Sequence, residues 1–274
     1  MSGKKVRHIL ALSGGKDSSA LAVYMKDKVP EMEYVFCDTE KELDETYEYL
    51  QRLSQYLGKP IHTLKYKSGY GFDEILKLKR GYLPSVQSRW CTECLKLVPY
   101  EEYIGSDEVI SYVGIRADEP HRTGYISTKP NIKTVFPFVE GNIRKADVFR
   151  ILEEAGLGVP AYYEWRSRSG CFFCFYQQRI EWVGLLERHP DLFRQAMEYE
   201  KINPETGERF TWIQNESLAE LSRPERVAAI KAQHAKQQLY AKRNQAHLKL
   251  KDVFETNDKD ETSFSIPTDV LPNL

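Results

Sequence analysis

Ser13-Gly14-Gly15-Lys16-Asp17-Ser18 follows a short apolar run, His8-Ile9-Leu10-Ala11-Leu12, and leads into a second apolar segment, Ala20 to Met25. The order predicts a strand, a tight glycine turn and the start of a helix. Such a turn is an anion site, because unpaired backbone N–H groups and the positive end of the helix dipole face one point. Gly14 and Gly15 allow a close backbone approach to the anion. Lys16 adds a point charge, Asp17 offers a carboxylate to Mg²⁺, and Ser13 and Ser18 supply hydroxyl donors or a helix cap. The Walker pattern G-x-x-x-x-G-K-[ST] is absent. Taken alone, the same six residues would also suit an ordinary strand–turn–helix with a capping serine.

The following segments repeat the alternation. Tyr34 to Asp38 reads as a second strand and Ile61 to Tyr66 as a third. Between them, Asp44 to Leu57 reads as a helix, with Leu43, Tyr47, Leu50, Leu53 and Leu57 at helical spacing and Gly58 closing it. Val109 to Ile115 is a further strand, Val135 to Phe138 is extended, and Arg144 to Glu154 is a helix. Gln177 to Met197 reads as one or two amphipathic helices, interrupted near His189-Pro190. Strands alternating with helices predict an α/β fold, a Rossmann-like parallel sheet with helices on both faces.

In such sheets ligands bind beyond the carboxyl ends of the strands. The glycine turn lies there, as do Asp38 and the polar run Gly114-Ile115-Arg116-Ala117-Asp118-Glu119-Pro120-His121-Arg122. Arg116 and Arg122 suit bidentate binding of phosphate or sulfate, or they pair with Asp118 and Glu119. Asp38 is either a ribose or metal contact or a turn residue. Cys37 beside it reads as a buried core thiol rather than a nucleophile.

With 39 basic and 40 acidic residues in 274, overall charge selects no partner, and any nucleic-acid contact must come from a local patch. Arg226 to Lys251 is one candidate, with seven Lys/Arg and no acid. It either tracks a phosphate backbone or is a solvated surface helix. Asp252 to Glu261 reverses the sign, with five acids and one lysine. No apolar run approaches the ~20 residues of a membrane span, and the basic N-terminus lacks a signal-peptide core, so a cytoplasmic protein is expected. The expected division is a nucleotide-binding domain over 1–185, a partly basic helical region over 186–253, and an acidic, polar tail over 254–274 expected to be mobile.

Five cysteines in such a chain favour metal or redox chemistry over disulfides. Cys91-x-x-Cys94 and Cys171-x-x-Cys174 are two C-x-x-C pairs separated by 76 residues. Together they can fill a tetrahedral four-thiolate site. Zn²⁺ is preferred because all four positions would be protein-held, with a 4Fe-4S cluster as the alternative and isolated thiols as the third reading.

These motifs, in this order, resemble the phosphoadenosine phosphosulfate (PAPS) reductase superfamily: the Ser13–Ser18 turn, Cys37-Asp38-Thr39-Glu40 with Glu45-Thr46, Gly114 to Glu119, and Ser169-Gly170-Cys171-x-x-Cys174. The turn itself resembles the PP-loop of ATP pyrophosphatases, which grips the outer phosphates and exposes the α-phosphate to attack. The resemblance runs through roughly residues 5–185 and implies an adenine-nucleotide α-hydrolase-like fold. It carries nucleotide binding to Ser13, Gly14, Gly15, Lys16, Asp17, Ser18 and Asp38, and anion binding to Arg116. Lys16, Asp17, Arg116 and Arg122 are then the expected catalytic residues. Assimilatory reductases of this superfamily attack sulfate with a cysteine in a Glu-Cys-Gly-x-His element, whereas no cysteine here follows Cys174. The pattern is more similar to the ATP-pyrophosphatase subunits of bacterial DNA phosphorothioation systems. That similarity implies ATP and Mg²⁺ as cofactors, a nucleic-acid phosphate as acceptor (DNA before RNA), and a cysteine desulfurase as sulfur donor. A tRNA thiolation enzyme, a PAPS reductase-like sulfonucleotide enzyme and a nucleotide-dependent scaffold are the alternatives. No membrane partner is expected, and a homodimer is compatible with the reading.

Overall fold

The computed structural model describes residues 6–257 apart from 123, 125, 169 and 203–208. Five strands, β1 (Arg7–Leu12), β2 (Glu33–Cys37), β3 (Ile61–Leu64), β4 (Val109–Tyr112) and β5 (Ile132–Val135), form one parallel sheet in the order β3-β2-β1-β4-β5. Side chains alternate across β1. Leu10 and Leu12 face one layer, with Ala20, Leu21 and Met25 of α1 (Lys16–Met25), Leu50, Leu53 and Leu57 of α2 (Asp44–Leu57), and Val148 and Leu152 of α7 (Lys145–Glu154). Ile9 faces the other layer, with Val35, Val109, and Tyr100 and Ile104 of α5 (Val98–Ile104). Strand periodicity thus assigns each residue to one of two helical layers, and the α/β expectation is met.

The chain leaves β1 towards β2 on one side and returns to β4 on the other. This reversal opens a crevice at the carboxyl ends of β1 and β4, where open parallel sheets bind ligands. Several shorter helices follow the sheet strands: α3 (Phe72–Leu78), α4 (Trp90–Thr92), which runs through a π-helical turn, Glu93–Leu97, into α5, and α6 (Pro137–Glu140). The helix pair α8 (Arg179–Arg188) and α9 (Pro190–Glu198) breaks at His189-Pro190, where the sequence places the interruption. Proline tolerates only the first turn of the second helix because it has no N–H to give.

The small hairpin β6 (Lys201–Ile202) and β7 (Arg209–Phe210) and the short α10 (Leu218–Leu221) complete a compact unit, Met1–Arg223. A boundary at residue 185 would cut α8 among its buried Trp182, Val183 and Leu185. Trp212, Leu218 and Leu221 are buried too, which is why the unit runs on to Arg223. The second unit, Pro224–Leu274, contains α11 (Pro224–Asn257), so the basic stretch 226–251 is helical. Of the expected tail, residues 258–274 lie outside the described residues. Among the described residues, no helix is long and apolar enough to cross a membrane.

Candidate active site at the carboxyl edge of the sheet

The glycine turn joins β1 to α1 in the crevice. Gly14 has φ +68°, and a Cβ there would lie 2.4 Å from Thr46 Cγ2 of α2. Gly14 is therefore required both by conformation and by close approach. The turn is tied to itself by Ser13 N–H donating to Ser18 Oγ (3.1 Å) and by Ser18 Oγ donating to the Gly15 carbonyl (3.2 Å). Two consecutive tyrosines hold it in place. Tyr162 hydroxyl donates to the Gly14 carbonyl at 2.8 Å, and Lys16 N–H donates to Tyr163 hydroxyl at 3.2 Å. Burial raises both phenols above their ordinary range, so both stay protonated.

Lys16 and Arg116 converge on Asp17. Lys16 Nζ lies 2.8 Å from one carboxylate oxygen, and Arg116 Nη1 lies 2.7 Å from the other. Gly114 brings the second segment this close, since a Cβ there would stand 3.0 Å from the Asp17 carbonyl. Arg116 Nε also pairs with Asp118 at 2.9 Å. Burial works against the guanidinium charge, but Asp118 and Asp17 outweigh it and raise the pKa. Arg122, more exposed, pairs with Glu119 at 3.0 Å. Both arginines thus make the carboxylate pairs that the sequence allows, and both also line the crevice.

Two adjoining hollows meet at this cluster. The inner one, about 350 Å³, is walled by Phe36, Leu97, Val113 and Ile115 beside the glycine turn. The outer one, about 1270 Å³, is open and cationic. Lys16, Asp17, Leu97, Arg122, Tyr163 and Arg168 line both. A hollow with apolar walls beside a phosphate turn has the chemistry to take a purine nucleotide. For Mg²⁺ the available donors are hard oxygens, the Asp17 carboxylate and the Ser13 and Ser18 hydroxyls, which suits that ion. Asp38 is not among the residues walling either hollow. Its Oδ1 accepts from the Tyr47 hydroxyl and the Glu40 N–H, the work of a turn residue. Cys37 does line the inner hollow; burial pushes its thiol up to about 11, despite the opposing Lys96 charge.

The two C-x-x-C pairs meet only in part. Cys91, Cys171 and Cys174 share the Lys96 ammonium as a neighbour, together with Glu42. Burial disfavours that ammonium, but these acidic groups outweigh it and raise its pKa. Cys171 Sγ lies 3.1 Å from Thr39 Oγ1, and burial, with Glu42 second, pushes its thiol well above the ordinary value. Cys94 stands apart, its charged neighbours being Lys79 and Glu93. Among the described residues, no group of three or more His, Cys, Asp or Glu is close enough to hold a metal ion. Three cysteines around an ammonium, with no group of metal-binding size among the described residues, do not fit the four-thiolate Zn²⁺ or 4Fe-4S centre expected from Cys91, Cys94, Cys171 and Cys174.

Sequence reasoning missed Tyr162, Tyr163, Lys96 and Arg166. The tyrosines carry no spacing signal. Lys96 and Arg166 flank the cysteine pairs, and only their proximity to those motifs marks them.

A family model described as the phosphoadenosine phosphosulfate reductase domain matches residues 7–175. An uncharacterized protein of Methanocaldococcus jannaschii is 29% identical over 198 residues, 68% of this chain and 39% of that protein. The chain therefore spans about two fifths of that relative's length. The tRNA-specific 2-thiouridylase of Geobacillus thermodenitrificans is 25% identical over 208 residues, 64% of this chain and 54% of the enzyme. Among solved structures, a PAPS reductase from Candida auris in a phosphate complex is similar, with a TM-score of 0.49 at 16% identity, covering 61% of this chain and 82% of that one.

Proposed function

The chain belongs to the phosphoadenosine phosphosulfate reductase domain family, and from that premise we propose that it is an ATP pyrophosphatase that activates a nucleic-acid phosphate, on DNA, for sulfur insertion. The observation that carries this reading is the glycine turn with Lys16 and Arg116 converged on Asp17. A triphosphate in the turn competes with Asp17 for both cations. The carboxylate so released is an oxygen donor for the Mg²⁺ that accompanies the nucleotide.

The adenine occupies the inner hollow, and the α-phosphate faces the outer cleft. An acceptor oxygen attacks the α-phosphorus, the bond to the bridging oxygen breaks, and pyrophosphate leaves. Lys16 and Arg116 neutralise the charge that develops on the departing phosphates, and the turn holds the reacting groups in line. The terminal sulfur of a persulfide on another protein, a cysteine desulfurase, then attacks the activated phosphorus and AMP leaves; a second thiol reduces the resulting S–S bond, which frees the desulfurase cysteine and leaves the sulfur on phosphorus. No step passes through a metal at the cysteines.

A second reading takes RNA as the acceptor, favoured by the similarity to a tRNA-specific 2-thiouridylase. Both readings share the first half-reaction, which is tested by incubating the pure protein with ATP and Mg²⁺ and assaying pyrophosphate and AMP. Turnover is expected, rising when the correct strand is added, and Lys16→Ala should lower it by a factor of about 10²–10³. Undiminished turnover in that variant, or release of ADP and phosphate, would overturn the assignment.

A further inference from the structure

Arg166 is 2% exposed, yet its guanidinium makes no ion pair among the described residues. Its Nη2 donates to the Cys171 carbonyl at 2.7 Å, while Nε and Nη1 have no hydrogen-bond partner among the described residues. A guanidinium does not shed its proton, and a buried charge without a counter-charge is costly. Arg166 lines the outer cleft, so the missing partner belongs there.

Two more guanidinium groups crowd the same cleft. Arg168 Cζ lies 4.7 Å and Arg89 Cζ 5.6 Å from the centre of the Tyr176 ring. The ring attracts each cation, and neither has a carboxylate partner among the described residues. An anion in the cleft would supply the counter-charge both lack. Arg89 immediately precedes the first cysteine pair's helix and Arg168 lies just ahead of the second pair, so the junction of the two C-x-x-C segments is what assembles this cluster.

We infer that Arg166 and Arg89, with Arg168 where the two hollows adjoin, form a second anion subsite in the outer cleft, which grips a phosphodiester of the acceptor strand. The inference rests on the reading that the cleft activates a nucleic-acid phosphate, and it names the residues that present that strand. Arginines beside an aromatic ring are the means by which proteins follow a single strand without reading its sequence. The outer cleft is several times larger than the nucleotide slot and carries seven Lys/Arg against three carboxylates, although the whole chain has a net charge of −1. That local excess suits a polyanion.

The test uses the full chain and fluorescently labelled single-stranded DNA and RNA of one sequence, read by anisotropy, with ATP affinity measured by calorimetry. Arg89→Ala should weaken strand binding about fivefold and Arg166→Gln at least about tenfold, with ATP affinity held within about twofold in both. Arg89 is exposed, so its variant decides the matter if Arg166→Gln fails to fold. The DNA and RNA arms identify which strand supplies the phosphodiester. Unchanged strand binding in Arg89→Ala, no binding of either strand by the wild type, or an equal loss of ATP affinity would overturn the subsite. Strand binding through these arginines without pyrophosphate release would preserve the subsite and sink the activation reading. Pyrophosphate release with strand binding indifferent to both substitutions would do the reverse.

Discussion

Gly14 meets two demands that no side chain satisfies together. Its φ of +68° costs an L-residue about 1–2 kcal/mol, and its missing Cβ makes room for Thr46 Cγ2 at 2.4 Å from where that atom would stand. Overpacking at such a contact costs about 1–3 kcal/mol more. Gly14→Ala is therefore expected to lower stability in urea unfolding by about 2–5 kcal/mol and to cut pyrophosphate release more steeply than it lowers the fraction folded. A variant with wild-type midpoint and turnover would show that the turn is not so tightly fitted. Gly14 was legible because a turn announces itself in adjacent residues. Tyr162 and Tyr163 were not: they reach the turn from 148 and 147 positions away, and no local pattern marks a residue whose only role is one long-range hydrogen bond. Arg116 falls between the two cases. Its position after a strand predicted the crevice, while its bond to Asp17 depends on how closely Gly114 lets β4 approach α1.

Among the elements, the cluster after α8 shows how a buried acid couples packing to pH. Glu200, between α9 and β6, accepts the Trp212 N–H at 3.1 Å and the Leu218 N–H at 2.8 Å, joining the hairpin region to α10. Burial outweighs these two bonds and lifts its carboxyl to about 7. The folded pKa lies above the unfolded one, so between them the native state holds the extra proton. Stability from this group is therefore full below pH ~4.5 and falls as pH rises towards 7. Thermal midpoints measured from pH 5 to pH 8 should decline with a component that Glu200→Gln lacks. Parallel curves for the two proteins would remove Glu200 as the cause. The elements themselves were largely legible from periodicity: α2 and the α8–α9 break stand where spacing and Pro190 put them. The cysteine junction was not. Spacing brings two cysteines to one helical segment, but the π-helical turn Glu93–Leu97 starts between them, with Lys96 inside it, and Cys94 has Lys79 and Glu93 as its charged neighbours. A C-x-x-C count cannot register that change in helical winding.

At the scale of the molecule, the question is which basic surface a nucleic acid would use, the cleft or α11. The strand order and the crevice follow from the alternation of apolar segments, and so the cleft's position was foreseeable; its excess of cations was not, because Arg89, Arg166 and Lys145 come from three distant segments. The basic stretch of α11, by contrast, was visible in composition alone. Arg226 and Lys231 already interact with neighbours. The salt dependence of strand binding separates the two surfaces, because each phosphate neutralised on a single strand adds about 0.7 to the slope of log K against log salt. Removing residues 224–274 should change that slope by less than one contact, whereas Arg89→Ala in the full chain should lower it by about one contact's worth. If the shortened chain stays folded by circular dichroism and loses most of its slope, the helix is the docking surface and the cleft serves the nucleotide alone.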